Sequence, residues 1–406
     1  SDLVENKMGV RSLQDGAAIV FESVASWQLV KDTTKLLVHR YPAENAGTAG
    51  GDFEVFDLSD GSTMPIGNVR ASYLHEKLPL VVVHTVSAAG NEGVQVVDLR
   101  SMKVHSVAWS KNHYRALTWA DEAGVLGFLA GTEKEGKDGD WNSIALAREF
   151  VDGTVQTVMF APDEVAGFPE GARVSDAGGL GLSEDGSSVT FGVAKWRDKD
   201  KPTTEDVAGV QIWHTKDATV MPLQEKQAGA ERSRVANYVW NPSDGSFKQF
   251  AEPELDAVRI SPDHKRAVAF DRRPYESAIK KNGLEYVDVV VIDIASGTRR
   301  MVLEKAVTNA SGVEASSLSL SPKGTYALYF DGTDWICDRL ADGAKRNLTK
   351  KFGKKFFDRE DDHTVPKPPA GGFPVWQNDD ARVFLQNDYD VFFLNPETGD
   401  GMPLTD

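Results

Sequence analysis

The sequence predicts an all-β fold, a β-propeller of about seven four-stranded antiparallel blades. Three observations predict it. Helical periodicity is nearly absent, and short runs rich in Val, Ile, Phe, Tyr and Thr alternate with Gly, Asp, Asn and Pro clusters. Two phrases recur along the chain, a turn leading into an apolar strand and a strand ending in an acidic or glycine turn. Their spacing is close to the 40–50 residues of a propeller blade.

The first phrase is seen in Leu182-Ser183-Glu184-Asp185-Gly186 before Val189-Thr190-Phe191, in Ile260-Ser261-Pro262-Asp263-His264 before Ala267-Val268-Ala269-Phe270, and in Leu320-Ser321-Pro322-Lys323-Gly324 before Tyr326-Ala327-Leu328. Pro pre-sets φ and Gly accepts φ > 0, so these steps favour tight turns. The second phrase is seen in Val55-Phe56-Asp57-Leu58 before Asp60-Gly61, in Val96-Val97-Asp98-Leu99, in Val290-Val291-Ile292-Asp293-Ile294 before Ser296-Gly297, and in Val391-Phe392-Phe393-Leu394 before Thr398-Gly399. First-phrase anchors fall near Trp27, Leu74, Trp119, Leu182, Ile260, Leu320 and Trp376, at spacings of 47, 45, 63, 78, 60 and 56. The longer units carry insertions at 195–206, 225–234, 271–285 (with Lys280-Lys281-Asn282-Gly283 at its centre) and 350–372.

The expected division is an N-terminal extension over 1–20, then a propeller over 21–406 with blades at 21–66, 67–112, 113–160, 172–252, 253–307, 314–350 and 372–406. The ring is expected as seven blades, as seven of eight, or as incomplete. Two stacked sandwich domains are the competing architecture, but sandwich strands need not repeat one phrase at blade length.

Composition narrows the function. The 406 residues are 41% apolar and include 19 Phe, 9 Trp and 9 Tyr, enough to pack a core. A net charge of −16 argues against nucleic-acid binding and against docking on an anionic membrane. No run of about 18 apolar residues exists, so no membrane span is expected. The single cysteine, Cys337, allows no intrachain disulfide and no Cys-based metal site, and reads as a small buried hydrophobe. The chain opens Ser1-Asp2-Leu3-Val4 with no initiator Met and no signal-peptide core, and both ends read as cut rather than native.

The order of motifs in the middle and C-terminal part resembles a known family. Gly171-Ala172-Arg173-Val174-Ser175-Asp176 leads into Leu182–Gly186 and Phe191-Gly192, then Val210-Gln211-Ile212-Trp213-His214-Thr215-Lys216-Asp217, with Gln224 and Gln227 beyond. Arg346-Asn347-Leu348-Thr349, Phe357-Asp358-Arg359-Glu360-Asp361-Asp362-His363, a Pro-rich stretch, Trp376 and Tyr389–Pro396 follow. This order resembles the N-terminal propeller of bacterial serine peptidases of the prolyl oligopeptidase family, over roughly residues 20–406. Lys216 stands where a second tryptophan is often found, and the first hundred residues match in repeat style alone. The resemblance implies a following α/β-hydrolase domain with a Ser–Asp–His triad. It implies a propeller that covers the active site, sieves peptides and does no chemistry. It also implies an exported, periplasmic or extracellular protein.

The chemistry itself is not in these residues. An α/β-hydrolase nucleophile needs Gly-x-Ser-x-Gly, and the near misses around Ser183 and Ser187 lack the second glycine. No alternation of strands and helices builds a parallel sheet, and no phosphate loop or His-Glu-x-x-His is present. The eight histidines are scattered, and His214 beside Trp213 reads as a packed strand residue. No catalytic residue, cofactor or metal is therefore assigned.

Two loops supply candidates for contact with substrate or a partner domain. Asp271-Arg272-Arg273-Pro274-Tyr275-Glu276 presents Arg272, Arg273 and Tyr275, types that can hold a peptide carboxylate, though a charged solvated loop is the plainer reading. The cluster Asp358, Glu360, Asp361, Asp362 and His363 reads first as a solvated or arginine-paired connector, then as a partner or substrate contact, then as a hard-cation site without EF-hand order. Trp335, in Asp334-Trp335-Ile336-Cys337-Asp338, reads as blade core. Dipeptidyl-peptidase relatives carry a glutamate pair near such a motif, and that pair is absent here. The basic run Lys350–Lys355 reads as a solvated face. Three functions are expected in turn: the non-catalytic propeller of a peptidase with a peptide and a hydrolase domain as partners, a stand-alone propeller scaffold for a protein, peptide or glycan, and a propeller glycosidase or lyase.

Overall fold

The computed structural model describes residues 6–13, 15–42, 50–150, 154–199, 221–276, 285–308, 317–362 and 367–405. Trp213, His214, the Lys280–Gly283 run and His363 lie outside the described residues. The chain divides into two compact units, 1–186 with 195–200 and 187–194 with 201–406.

In the first unit a hairpin of β1 (Met8–Arg11) and β2 (Ala18–Phe21) precedes an antiparallel series, β3 (Val24–Leu29), β4 (Lys35–Arg40), β5 (Gly51–Asp57), β6 (Thr63–Leu74), β7 (Leu80–Val86), β8 (Glu92–Asp98) and β9 (Lys103–Ser110). The 12-residue β6 serves two meanders. Its first half pairs with β5 and its second half with β7. Asn68 at φ 58° makes the bend between them, and Asn is a residue that tolerates the left-handed region. Next come β10 (His113–Ala120), β11 (Ala123–Glu133), β12 (Asp140–Arg148) and β13 (Gln156–Phe160), again antiparallel. β14 (Ala172–Leu182) meets β12 at Asn142↔Val174.

The second unit repeats the pattern. β15 (Val189–Lys195), β16 (Ala236–Asn241) and β17 (Ser246–Ala251) form one meander. β18 (Asp256–Ile260), β19 (Arg266–Asp271), β20 (Tyr286–Asp293) and β21 (Arg299–Val307) form the next. Two further four-stranded sheets run β22 (Ser319–Leu320), β23 (Tyr326–Phe330), β24 (Trp335–Arg339), β25 (Lys345–Asn347), and β26 (Val375–Trp376), β27 (Val383–Gln386), β28 (Val391–Leu394), β29 (Gly401–Pro403). Up-and-down antiparallel meanders of this size are propeller blades, and the fold class is all-β of that kind.

Faces are apolar on both sides where a meander lies between two others. All seven residues of β7, Leu-Val-Val-Val-His-Thr-Val, are buried, as β-branched strands with two covered faces should be. One face of β7 and β8, through Val81, Val83 and Val97, packs with Phe53, Val55 and Val69. The other, through Leu80, Val82, Val94 and Val96, packs with Leu126, Phe128 and Phe150. In the second unit Val268, Val289 and Val291 pack against Ala327 and Tyr329, while Leu328, Phe330 and Trp335 pack against Val383, Leu385 and Phe392. Trp335 is 1% exposed and Cys337 is buried, its thiol pushed up to about 12 mainly by desolvation.

The recurrent turn phrase has a common geometry. Its fourth position donates its N–H to the carbonyl of the first: Gly186 to Ser183 (2.8 Å), His264 to Ser261 (2.9 Å), Gly324 to Ser321 (2.9 Å) and Asp380 to Gln377 (3.0 Å). All four fourth positions have positive φ, of 69°, 53°, 70° and 61°. Each also reaches back to the preceding meander of its own unit. Gly186 abuts Val125, and a β-carbon on Gly324 would run into that of Ser261. His264 Nδ1 bonds Ser188 Oγ at 3.0 Å. The Asp380 carboxylate accepts from Ser321 Oγ (2.6 Å) and from the amides of Lys323 (2.9 Å) and Thr325 (3.2 Å). The phrase is thus a turn and a staple at once.

One element departs from the sequence reading. The insertion expected over 225–234 lies mostly in an α-helix, α1 (Met221–Arg232). Pro222 sits in its first turn, and Gln224, Glu225, Lys226, Ala228 and Ala230 are good helix formers. It carries no apolar stripe, so hydrophobic periodicity gives no sign of it. No helix among the described residues is long and apolar enough to cross a membrane.

Candidate functional site

The first nominated loop is closed on itself. A 3-10 turn, Arg273–Tyr275, follows β19. Arg272 pairs with Asp256 (2.9 Å) and Glu285 (2.9 Å), and Asp256 also holds Arg234 (2.8 Å). Arg273 grips Asp271 through Nε (2.8 Å) and Nη2 (2.5 Å). That bond holds the Asp271 carboxyl below its usual range and raises the guanidinium further. Tyr275 donates its hydroxyl to Asp288 (2.8 Å), and burial, with that carboxylate, pushes the phenol up to about 12. Both guanidiniums already hold carboxylates of their own loop and its neighbours.

The acidic cluster has its own partners. The Asp358 N–H donates to the Pro369 carbonyl (2.8 Å), and its carboxylate accepts the Glu360 N–H (2.9 Å). Between them Arg359 donates to the Tyr389 hydroxyl (3.1 Å) and approaches Asp388 (3.9 Å). Glu360 and Asp362 are exposed and Asp361 is half-buried. No group of three His, Cys, Asp or Glu side chains disposed to hold a metal exists among the described residues.

A third place, not singled out by sequence reasoning, is better formed. In the first unit the turn between β11 and β12 is clasped by residues 195–199. Asp138 N–H donates to the Arg197 carbonyl (2.9 Å), Lys199 N–H to Gly136 (3.0 Å) and Trp196 N–H to Gly171 (2.9 Å). Lys137 pairs with Asp198 (2.6 Å) and Lys199 with Glu133 (2.6 Å). This clasp brings Trp196 onto Trp141, the rings parallel within 4° with centroids 5.8 Å apart. The ammonium of Lys134 lies 4.9 Å from one centroid and 4.8 Å from the other. Beside the pair opens a cavity of about 380 Å³, walled also by Phe168, Pro162, Pro169, Asp163 and Glu170.

A line of charged groups runs from this cleft. The Arg173 guanidinium lies over Trp196 (5.5 Å), and its Nε and Nη1 are buried without a hydrogen-bond acceptor. It approaches Asp176 at 3.7 Å. Arg115 bridges Asp176 (2.9 Å) to the buried Asp140 (3.4 Å), which accepts from His113 Nδ1 (3.0 Å). A histidine–aspartate pair is one half of a nucleophile-activating relay. Among the described residues His113 has no recorded bond to a serine or cysteine. The one sequence signal that could have found the cleft is an aromatic, Trp196, inside an otherwise charged insertion.

No family model matches the chain, and no curated protein matches it. Solved structures do. The β-propeller domain of the Trilobed protease from Pyrococcus furiosus is 11% identical, with 92% of this chain and 95% of that one covered and a TM-score of 0.37. Porphyromonas gingivalis dipeptidyl peptidase 4 is 11% identical over 93% of this chain and 52% of that one, with a TM-score of 0.45. TolB from Acinetobacter baumannii is 12% identical over 94% and 79%, with a TM-score of 0.29. The chain thus spans about half the length of the dipeptidyl peptidase and nearly all of the isolated propeller domain.

Proposed function

We propose that this chain is the non-catalytic propeller region of a prolyl oligopeptidase-like serine peptidase. It admits peptides to, and helps to position them for, an α/β-hydrolase domain outside these residues. The observation that carries this reading is a cavity walled by aromatic and charged side chains, Trp141, Trp196, Phe168, Lys134, Asp163 and Glu170, with no serine or cysteine among its lining residues. The order of motifs from Gly171 to Pro396 supports the same reading, as does the absence of Gly-x-Ser-x-Gly. In this proposal the blades keep the bounds given above, residues 1–20 are an extension, and the protein acts outside the cytoplasm.

The test is a fluorophosphonate probe on two samples. The 406-residue polypeptide is expected to stay unlabelled. The native protein, captured from its source cells with an antibody to this chain, is expected to run well above 44.3 kDa and to label at a serine outside these residues. Labelling within the 406 residues would overturn the proposal, and so would a native species of the same mass that copurifies with no probe-reactive fragment.

A further inference from the structure

We infer that the Trp141–Trp196 slot is a recognition site for a cationic side chain, the arginine or lysine of a peptide, and that Lys134 is its built-in competitor. That the ligand is a peptide rests on the function proposed above; that it is a cation does not.

Indole faces are electron-rich and attract an ammonium or guanidinium within about 6 Å of the ring centroid. Lys134 satisfies that distance to two parallel indoles at once. Its ammonium makes no hydrogen bond or ion pair among the described residues, so the rings are its sole recorded partners. The slot therefore displays, with a residue of its own chain, the chemistry it accepts. The rim adds matching charge. Asp163 and Glu170 are exposed, line the cavity, and have no hydrogen bond or ion pair to their carboxylates among the described residues. Both carboxylates are thus open to a cation that enters the cavity. Lys134 is exposed, on a flexible four-carbon stem, so it can leave the rings when another cation arrives. The clasp over 195–199 holds Trp196 through backbone hydrogen bonds and the Lys137–Asp198 and Lys199–Glu133 pairs, none of which uses the Lys134 ammonium.

A competitor makes a prediction of unusual sign, because removing a cation near an anion site weakens binding, whereas removing this one should tighten it. The experiment measures binding of a fluorescein-labelled, amide-capped tetrapeptide Gly-Arg-Arg-Gly to the full chain by anisotropy, with Glu-Glu and Gln-Gln counterparts. Lys134→Met keeps the apolar stem and removes the charge. It is expected to bind the arginine peptide about fivefold tighter, the scale of one exposed cation–π contact. Lys103→Met, an exposed lysine on β9, changes the net charge equally and is expected to leave affinity within about twofold, which separates the slot from general attraction to a −16 chain. Trp196→Leu in the Lys134→Met background is expected to lose the gain, with an unchanged circular-dichroism melt showing that the fold is intact. Preference for the glutamate peptide, weaker binding in Lys134→Met, or equal gains in Lys134→Met and Lys103→Met would each overturn the inference. These readouts need no peptidase activity. A slot that binds cations in a chain whose native form carries or copurifies with no probe-reactive serine refutes the proposed function alone, and a labelled native peptidase with an indifferent slot refutes this inference alone.

Discussion

At Gly186, His264, Gly324 and Asp380 the chain makes one turn four times, each with positive φ and each touching the preceding meander. At Trp141 and Trp196 it makes one arrangement once, from a hairpin tip and a segment some fifty residues later. The turn row uses short-range chemistry, so any residue that tolerates the left-handed region serves: glycine twice, histidine and aspartate once each. The cleft uses long-range placement, and its residues are individually unremarkable in type. The difference teaches where stability and where recognition sit. Substitutions in the row should cost stability, and removing a tryptophan from the cleft should cost binding.

The sharpest test of the row is Gly324→Val. The new side chain meets both a φ of 70° and the β-carbon of Ser261. Left-handed strain alone is worth about 1–2 kcal/mol and overpacking adds about 1–3 kcal/mol, so a loss of roughly 3 kcal/mol in urea unfolding is expected. Gly353→Val is the control. Gly353 has φ 62° but open space around it, so strain alone acts and the loss should be about half as large. Equal losses would mean that the staple to Ser261 adds nothing. Asp380→Ala comes next. It removes the acceptor for three donors, and a loss of about 2 kcal/mol is expected.

The same logic separates the two regions in how they were read from sequence. The turns were legible because Ser-Pro-Asp and Asp-Gly steps carry their geometry locally, and β8 and β20 because β-branched runs fit a covered sheet. The fourth turn, Gln377-Asn378-Asp379-Asp380, carries neither proline nor glycine, and only its anchor, Trp376, placed it in the series. The charged loop at 271–276 looked exposed and free, yet Asp256, Glu285 and Asp288, brought in by neighbouring strands, occupy it. Pairing across a sheet has no signature in one strand. The cleft was hidden for the same reason, since Trp141 and Trp196 lie 55 positions apart and meet only through the clasp of 136–138 on 197–199. α1 was missed because it carries no periodic apolar stripe.

A buried pair within the first unit gives a pH test of intermediate size. His84 Nε2 donates to Glu92 (2.9 Å), which also accepts from Arg70 (2.9 Å) and the Tyr114 amide (2.9 Å). Burial holds the His84 imidazole below its ordinary 6.5, although Glu92 opposes the shift. The unfolded chain therefore takes up this proton before the folded one. The associated stability is complete above about pH 6.5 and is lost as pH falls below it. Urea midpoints at pH 7.5 and 5.5 should fall with acid in the parent chain and fall less in His84→Gln. A parent midpoint that rises on acidification would reverse the sign and refute the assignment.

The smallest expected effect tests the loop that the sequence first nominated. Arg273 and Asp271 form a two-point ion pair two residues apart, with the arginine 44% exposed. Solvent screens such a pair, and its side-chain entropy offsets much of the attraction, so Arg273→Ala should cost no more than about 0.5 kcal/mol in urea unfolding. It should also leave arginine-peptide affinity within about twofold, since the guanidinium is committed to its own loop rather than to the slot at Trp141 and Trp196. A loss of several-fold in affinity without a loss of stability would return Arg273 to the candidate binding residues. A loss above about 1 kcal/mol would instead place the pair among the staples, on the same footing as Asp380.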